Sequence, residues 1–98
     1  MINKVYQSIF NMSRTLLIGD EISLPTDASA ATTLNGATVV RVVNSSTSAA
    51  TLSLADEVGA TPITVTILSK TVEMIEKKSY QVIFCSGSLK GSQVGFTD

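Results

Sequence analysis

Apolar and hydroxyl side chains alternate residue by residue through the middle of this chain. That rhythm has the two-residue period of a β-strand and not the 3.6-residue period of a helix. Leu52 and Leu54 alternate with Thr51 and Ser53, and Ile63, Val65 and Ile67 with Thr64 and Thr66. Tyr80, Val82 and Phe84 share one face, opposite Gln81, Ile83 and Cys85. Each pattern places one apolar row inward and a hydroxyl-rich row outward, as a sandwich strand requires. Serine and threonine supply about a quarter of the chain, and β-branched residues dominate its apolar stretches, which favours pleated, half-buried strands.

Strands are predicted over residues 4–10, 15–18, 37–44, 50–55, 63–68, 72–76, 80–85 and 93–97. Turn chemistry separates them, as in Asn44-Ser-Ser-Thr-Ser48, Asp56-Glu-Val-Gly59, Ser69-Lys70 and Ser86-Gly87-Ser88. The regular spacing of strand starts predicts an all-β fold: a small antiparallel β-sandwich, Ig-like or jelly-roll-like, of about seven to eight strands. Val39, Val40, Val42 and Val43 are apolar on both sides of Arg41. Their strand is therefore read as central and covered on both faces, with Arg41 at an edge or paired. At 98 residues the chain is one domain. Residues 1–12 are read as a docking arm or edge strand. Residues 23–36 (SLPTDASAATTLNG) break the alternation and are read as a long surface loop. A helical turn over residues 26–31, capped by Thr26 or Asp27, fits inside it.

Apolar residues at 44 % and charged residues at 15 % exclude intrinsic disorder. The net charge of −1 gives no electrostatic reason to bind nucleic acid or an anionic membrane face. Apolar runs such as Leu16-Leu17-Ile18 fall far short of the ~18 residues that cross a bilayer. The first residues have no apolar h-region, so no secretory signal is expected. Histidine is absent, which removes the usual general base at neutral pH and the commonest transition-metal ligand. The single cysteine, Cys85, cannot close an intramolecular disulfide or hold zinc alone, and reads as a small buried hydrophobe. Asp20-Glu21 and Asp56-Glu57 read as solvated loop pairs, and Lys77-Lys78 as part of a surface hairpin compensated by Glu73 and Glu76. No catalytic residue, metal site or cofactor is expected. Few charges guard the strands, so their edges call for partners.

Five stretches carry a resemblance: Thr38-Val-Val-Arg-Val-Val-Asn44, Ser45 through Asp56, Ile63-Thr-Val-Thr-Ile-Leu68, Ile75-Glu-Lys77 and Val94-Gly-Phe-Thr-Asp98. In this order they resemble small β-sandwich virion structural proteins of tailed bacteriophages, those of marine cyanobacterial phages in particular. The resemblance spans residues 37–98 and leaves the N-terminal third unmatched. It implies a virion component without enzymatic activity, made in the host cytoplasm, that decorates the capsid as a cement protein across capsomer surfaces. A tail, neck or baseplate accessory subunit is the alternative, and a receptor- or glycan-binding module the second. The implied partners are the major capsid protein or other virion proteins, and further copies of the chain in a homo-oligomer or symmetric array. Nucleic acid and membrane are not among them. The resemblance transfers no functional residue. From the residues themselves, the expected contact surface is the N-terminal strand with Ile2, Tyr6 and Phe10, together with Leu24, Pro25 and Leu34 of the long loop.

Overall fold

Eight antiparallel strands in two sheets make up the computed structural model, which describes residues 14–97. They are β1 (Arg14–Leu17), β2 (Ile22–Ser23), β3 (Val39–Asn44), β4 (Ala50–Ala55), β5 (Ile63–Ile67), β6 (Thr71–Glu76), β7 (Val82–Ser86) and β8 (Lys90–Thr97). The five-stranded sheet runs β1-β8-β3-β6, with β2 also on β8. The three-stranded sheet runs β5-β4-β7. The protein is a small all-β sandwich. The predicted strand over residues 4–10 lies outside the described residues.

β1 and β2 lie end to end along the edge of β8 that faces away from β3. Between them the backbone bulges, and the N–H groups of Ile18 and Gly19 both donate to the Gln93 carbonyl at 3.0 Å. A bulge of this kind lets an edge strand bend and twist. β3 is central, as expected, but only one of its faces meets the core. Val40, Val42 and Asn44 are buried, whereas Val39, Arg41 and Val43 are half-buried on the outer face. Arg41 is paired there with Glu21, Nη1 to Oε2 at 3.4 Å.

The core joins Val40 and Val42 of β3 to Leu52 of β4, Ile67 of β5, and Ile83 and Cys85 of β7. In β7 the inward row is therefore Ile83 and Cys85, with Phe84 on the other face. Asn44 is the polar member of this interior. Its Nδ2 donates to the carbonyls of Ser48 at 2.9 Å and Ile67 at 3.0 Å, and its Oδ1 accepts from the Ser46 N–H and hydroxyl. A single amide thus satisfies the β3–β4 turn and ties β3 to β5 in the opposite sheet. Residues 69 and 70 form the β5–β6 turn, where Lys70 takes a φ of 59° and its ammonium donates to the Ser45 carbonyl at 2.7 Å.

Residues 23–36 are not a free surface loop. Leu24 and Leu34 are buried in the core. The Leu24 N–H donates to Leu89, the Cys85 N–H to Pro25, and Thr32 and Ile83 exchange two backbone bonds. The segment therefore leaves the five-stranded sheet at Ser23 and lines the free edge of β7 in the other sheet, closing one side of the sandwich. Within it a turn of 3-10 helix covers Ala28–Ala30, capped by the Asp27 carboxylate, which accepts from the Ser29 N–H. That bond holds the Asp27 carboxyl below its ordinary range.

Candidate interaction surface

The residues expected to form a contact surface separate into three groups. Ile2, Tyr6 and Phe10 lie outside the described residues. Leu24 and Leu34 are 4 % and 5 % exposed, so the expectation that they present a surface is corrected: both are core side chains. Leu24 fills the space that Gly91 leaves open, its Cδ2 lying 2.8 Å from where a Cβ on that glycine would sit. Pro25 is half-buried, and its carbonyl is engaged by Cys85 at 2.8 Å. Isolated leucines in a polar, non-periodic stretch gave no sign of direction, and burial is decided here by contacts with residues far along the chain.

The exposed apolar residues lie elsewhere. β8 pairs with β3 only as far as Gln93, and from Val94 to Thr97 it pairs with β1 alone. The two form a ribbon that overhangs the five-stranded sheet. Leu16, Leu17 and Ile18 from β1 and its exit, with Phe96 from β8, are all exposed on it, Leu17 to 75 %. A two-stranded ribbon is marginal by itself in water, so one that presents this much apolar surface is suited to a covering partner.

The ribbon continues the outer face of the five-stranded sheet. Strand register places exposed Val72 and Met74 of β6, half-buried Val39 and Val43 of β3, exposed Phe96 of β8 and Leu17 of β1 on that side, together with the exposed charges Glu76 and Lys90; Val94 shares the side but is buried. Arg41 and Glu21 stand among them, beside a cleft of about 440 Å³ lined by Leu17, Ile18, Gly19 and Asp20. The outer face of the three-stranded sheet is different in kind. Thr51, Ser53, Thr64, Thr66 and Ser86 share it with Phe84, which is the hydroxyl coat the alternation predicted. The outer side of the five-stranded sheet thus exposes more large apolar side chains, with a few charges among them, than the outer side of the three-stranded sheet.

The reactive groups are withdrawn from this surface. Cys85 is buried, and burial pushes its thiol pKa up against a smaller opposing effect of the Leu89 backbone, which makes it a poor nucleophile. Lys77 is 5 % exposed, against the expectation of a solvated hairpin charge. Its Nζ turns inward to the carbonyls of Gln81 at 2.8 Å and Lys78 at 3.2 Å, and burial lowers its pKa. The backbone explains the change: the Lys77 N–H still donates to Thr38 across from β6, which keeps the residue against the sheet. Among the described residues no group of three or more Cys, Asp or Glu side chains is close enough to hold a metal ion. No helix among them is long and apolar enough to cross a membrane. No protein family model, curated protein or solved structure matches the chain.

Proposed function

We propose that this chain is a non-enzymatic structural subunit of a phage particle: a capsid decoration protein that binds across capsomer surfaces through the outer side of its five-stranded sheet. The observation that carries the reading is the β1–β8 ribbon, which projects beyond the sandwich and exposes Leu17 and Phe96 on that side. The particle itself comes from the resemblance of residues 37–98 to virion proteins. Burying one such side chain contributes roughly 1.5–3 kcal/mol. Association costs about 4–15 kcal/mol in lost freedom. Several of these residues must therefore be covered at once, which a broad face does and a single pocket does not. The hydroxyl-coated side is then left to solvent.

Purified particles test the reading by copy number against the major capsid protein. Stoichiometry near one, or one per capsomer, is the expected result. A few copies per particle would move the subunit to the tail or neck, and absence from the particle would overturn the proposal. Leu17→Asp and Phe96→Asp, singly, are expected to leave the fold intact and to abolish binding to capsids that lack the protein.

A further inference from the structure

β5 is the end strand of the three-stranded sheet, paired with β4 on one side and with no strand on the other among the described residues. Natural edge strands are usually blunted by a charge, a proline, a bulge or short length. β5 has none of these within it. Its sequence is Ile-Thr-Val-Thr-Ile, every residue β-branched and uncharged, and its register with β4 runs unbroken from Leu54↔Ile63 to Ala50↔Ile67. This is an edge that accepts another strand.

The space beside it is also open. The inward row of β5 is 1 % exposed at Ile67, 50 % at Val65 and 71 % at Ile63. The sandwich is closed at the β5–β6 turn and widens away from it. The facing wall is β6, whose inward row is Thr71, Glu73 and Ile75, set opposite Asn44, Val42 and Val40 of β3. Glu73 is exposed and makes no salt bridge among the described residues. A strand that fills this wedge must be apolar at alternate positions, bring a cation to Glu73 and carry no acid.

The segment ahead of Arg14 has those properties. Residues 1–13 (MINKVYQSIFNMS) contain one lysine and no acid. Ile2, Lys4, Tyr6, Ser8 and Phe10 share one row of an extended chain, in which Tyr6 and Phe10 are the apolar members of the 4–10 stretch and Lys4 the cation. Residues 4–10 would extend about 23 Å, enough to line the roughly 17 Å of β5. We propose that residues 4–10 of a second copy add as a strand to the free edge of β5, with Lys4 set against Glu73. The arm's own chain is out of reach. β1 and β6 lie at opposite edges of the five-stranded sheet, and Arg14 pairs with Thr97 at the ribbon tip, beyond the last β3 contact. Three strand spacings, one sheet-to-sheet gap and that overhang place the wedge roughly 20 Å away. The linker between Phe10 and Arg14 spans at most ~14 Å. The inference concerns copies of this chain alone and does not depend on the phage reading.

Sedimentation velocity of the full chain across a wide concentration range is the test, with thermal melts to show that each variant is folded. The expected result is reversible self-association that Val65→Lys abolishes. Lys4→Glu and Glu73→Lys should each weaken association about tenfold, and the double variant K4E/E73K should restore it. A monomer at every concentration overturns the proposal. So do single charge reversals without effect, or a double variant no better than the singles. If the two charges prove coupled only in the stability of a monomer, the arm folds onto its own chain and the second copy is refuted.

Discussion

Replacing Asn44 with aspartate changes two donors into acceptors and almost nothing else. The side chain is fully buried and makes four hydrogen bonds: two from its amide to the carbonyls of Ser48 and Ile67, and two to its oxygen from Ser46. Asn44→Ala loses all four. The Ile67 carbonyl is then stranded in the interior, while the Ser46 and Ser48 groups regain water at the surface. With buried unsatisfied groups at about 1–3 kcal/mol and exchanged surface bonds near zero, the loss is about 2–4 kcal/mol. For a domain of this size that lowers the melting temperature by roughly 10–25 °C. Asn44→Asp keeps the Ser46 bonds but points a carboxylate at two carbonyl oxygens. Lys70, which donates to the adjacent Ser45 carbonyl, is exposed and compensates only weakly. At pH 7 the aspartate variant should lose about 3–5 kcal/mol, more than the alanine.

The sign of the pH dependence follows from the same geometry. Burial and the two carbonyls both disfavour the charged form, so the folded-state pKa of the introduced carboxyl is raised above its unfolded value of about 3.9. Between those two pKa values the native state binds more protons than the unfolded state, and stability rises as pH falls. Once neutral, the carboxyl can donate to one of the carbonyls. Urea unfolding of the wild type, Asn44→Ala and Asn44→Asp at neutral and mildly acid pH reads the difference directly. The aspartate deficit should shrink in acid while the alanine deficit holds. An aspartate variant no worse than alanine at pH 7, or one whose deficit grows in acid, would refute the reading of Asn44 as a donor between sheets.

Three further outcomes follow from the packing. Leu24→Ala should cost about 2–4 kcal/mol in urea unfolding, whereas Leu17→Ser on the ribbon should stay within about 0.5 kcal/mol; equal effects would contradict their opposite placement. Gly87→Ala should cost about 2–4 kcal/mol on thermal unfolding, because φ there is +112° and a Cβ would lie 2.7 Å from the Ala50 Cβ and 3.3 Å from its Cα. Cys85 should resist alkylation in the folded protein at mildly alkaline pH and react promptly in urea, as mass spectrometry would show; rapid labelling of the native state would mean that the β7 edge opens readily.

Where the sequence was legible, the reason was local. Ala50 through Ala55 and Ile63 through Ile67 alternate cleanly, and their strands form where the alternation says. The capping of the short turn by Asp27 needed only the residue and its neighbours. The misreadings have one physical origin. β7 is apolar on both rows, so period alone could not choose Ile83 and Cys85 over Val82 and Phe84; the position of the opposite sheet chooses. β2 is two residues long, too short to have a period, and exists because β8 offers it an edge. Leu24 and Leu34 are drawn into the core by β8 and β7, which lie far along the chain. Lys77 was read by its charge, yet its backbone is fixed to Thr38, and its stem follows the sheet inward.

The same distinction explains why the candidate surface could not be read from composition. Alternation settles which row of a strand points inward, and in β5 that row is Ile63, Val65 and Ile67. Whether the row is then covered depends on what the other sheet places opposite. Here it places β6, with an exposed carboxylate at Glu73 in its own inward row, beside the exposed Ile63 and Val65. An inward apolar row beside an inward charge is therefore incomplete as a core and complete only with something of opposite charge inserted. The ribbon makes the same point at the other edge of the sheet, where β1 and β8 pair with each other but leave Leu17 and Phe96 uncovered. The ribbon and the β5 edge are therefore two separate uncovered apolar regions on one small sandwich, each left open by the strand that its own sheet does not place beside it.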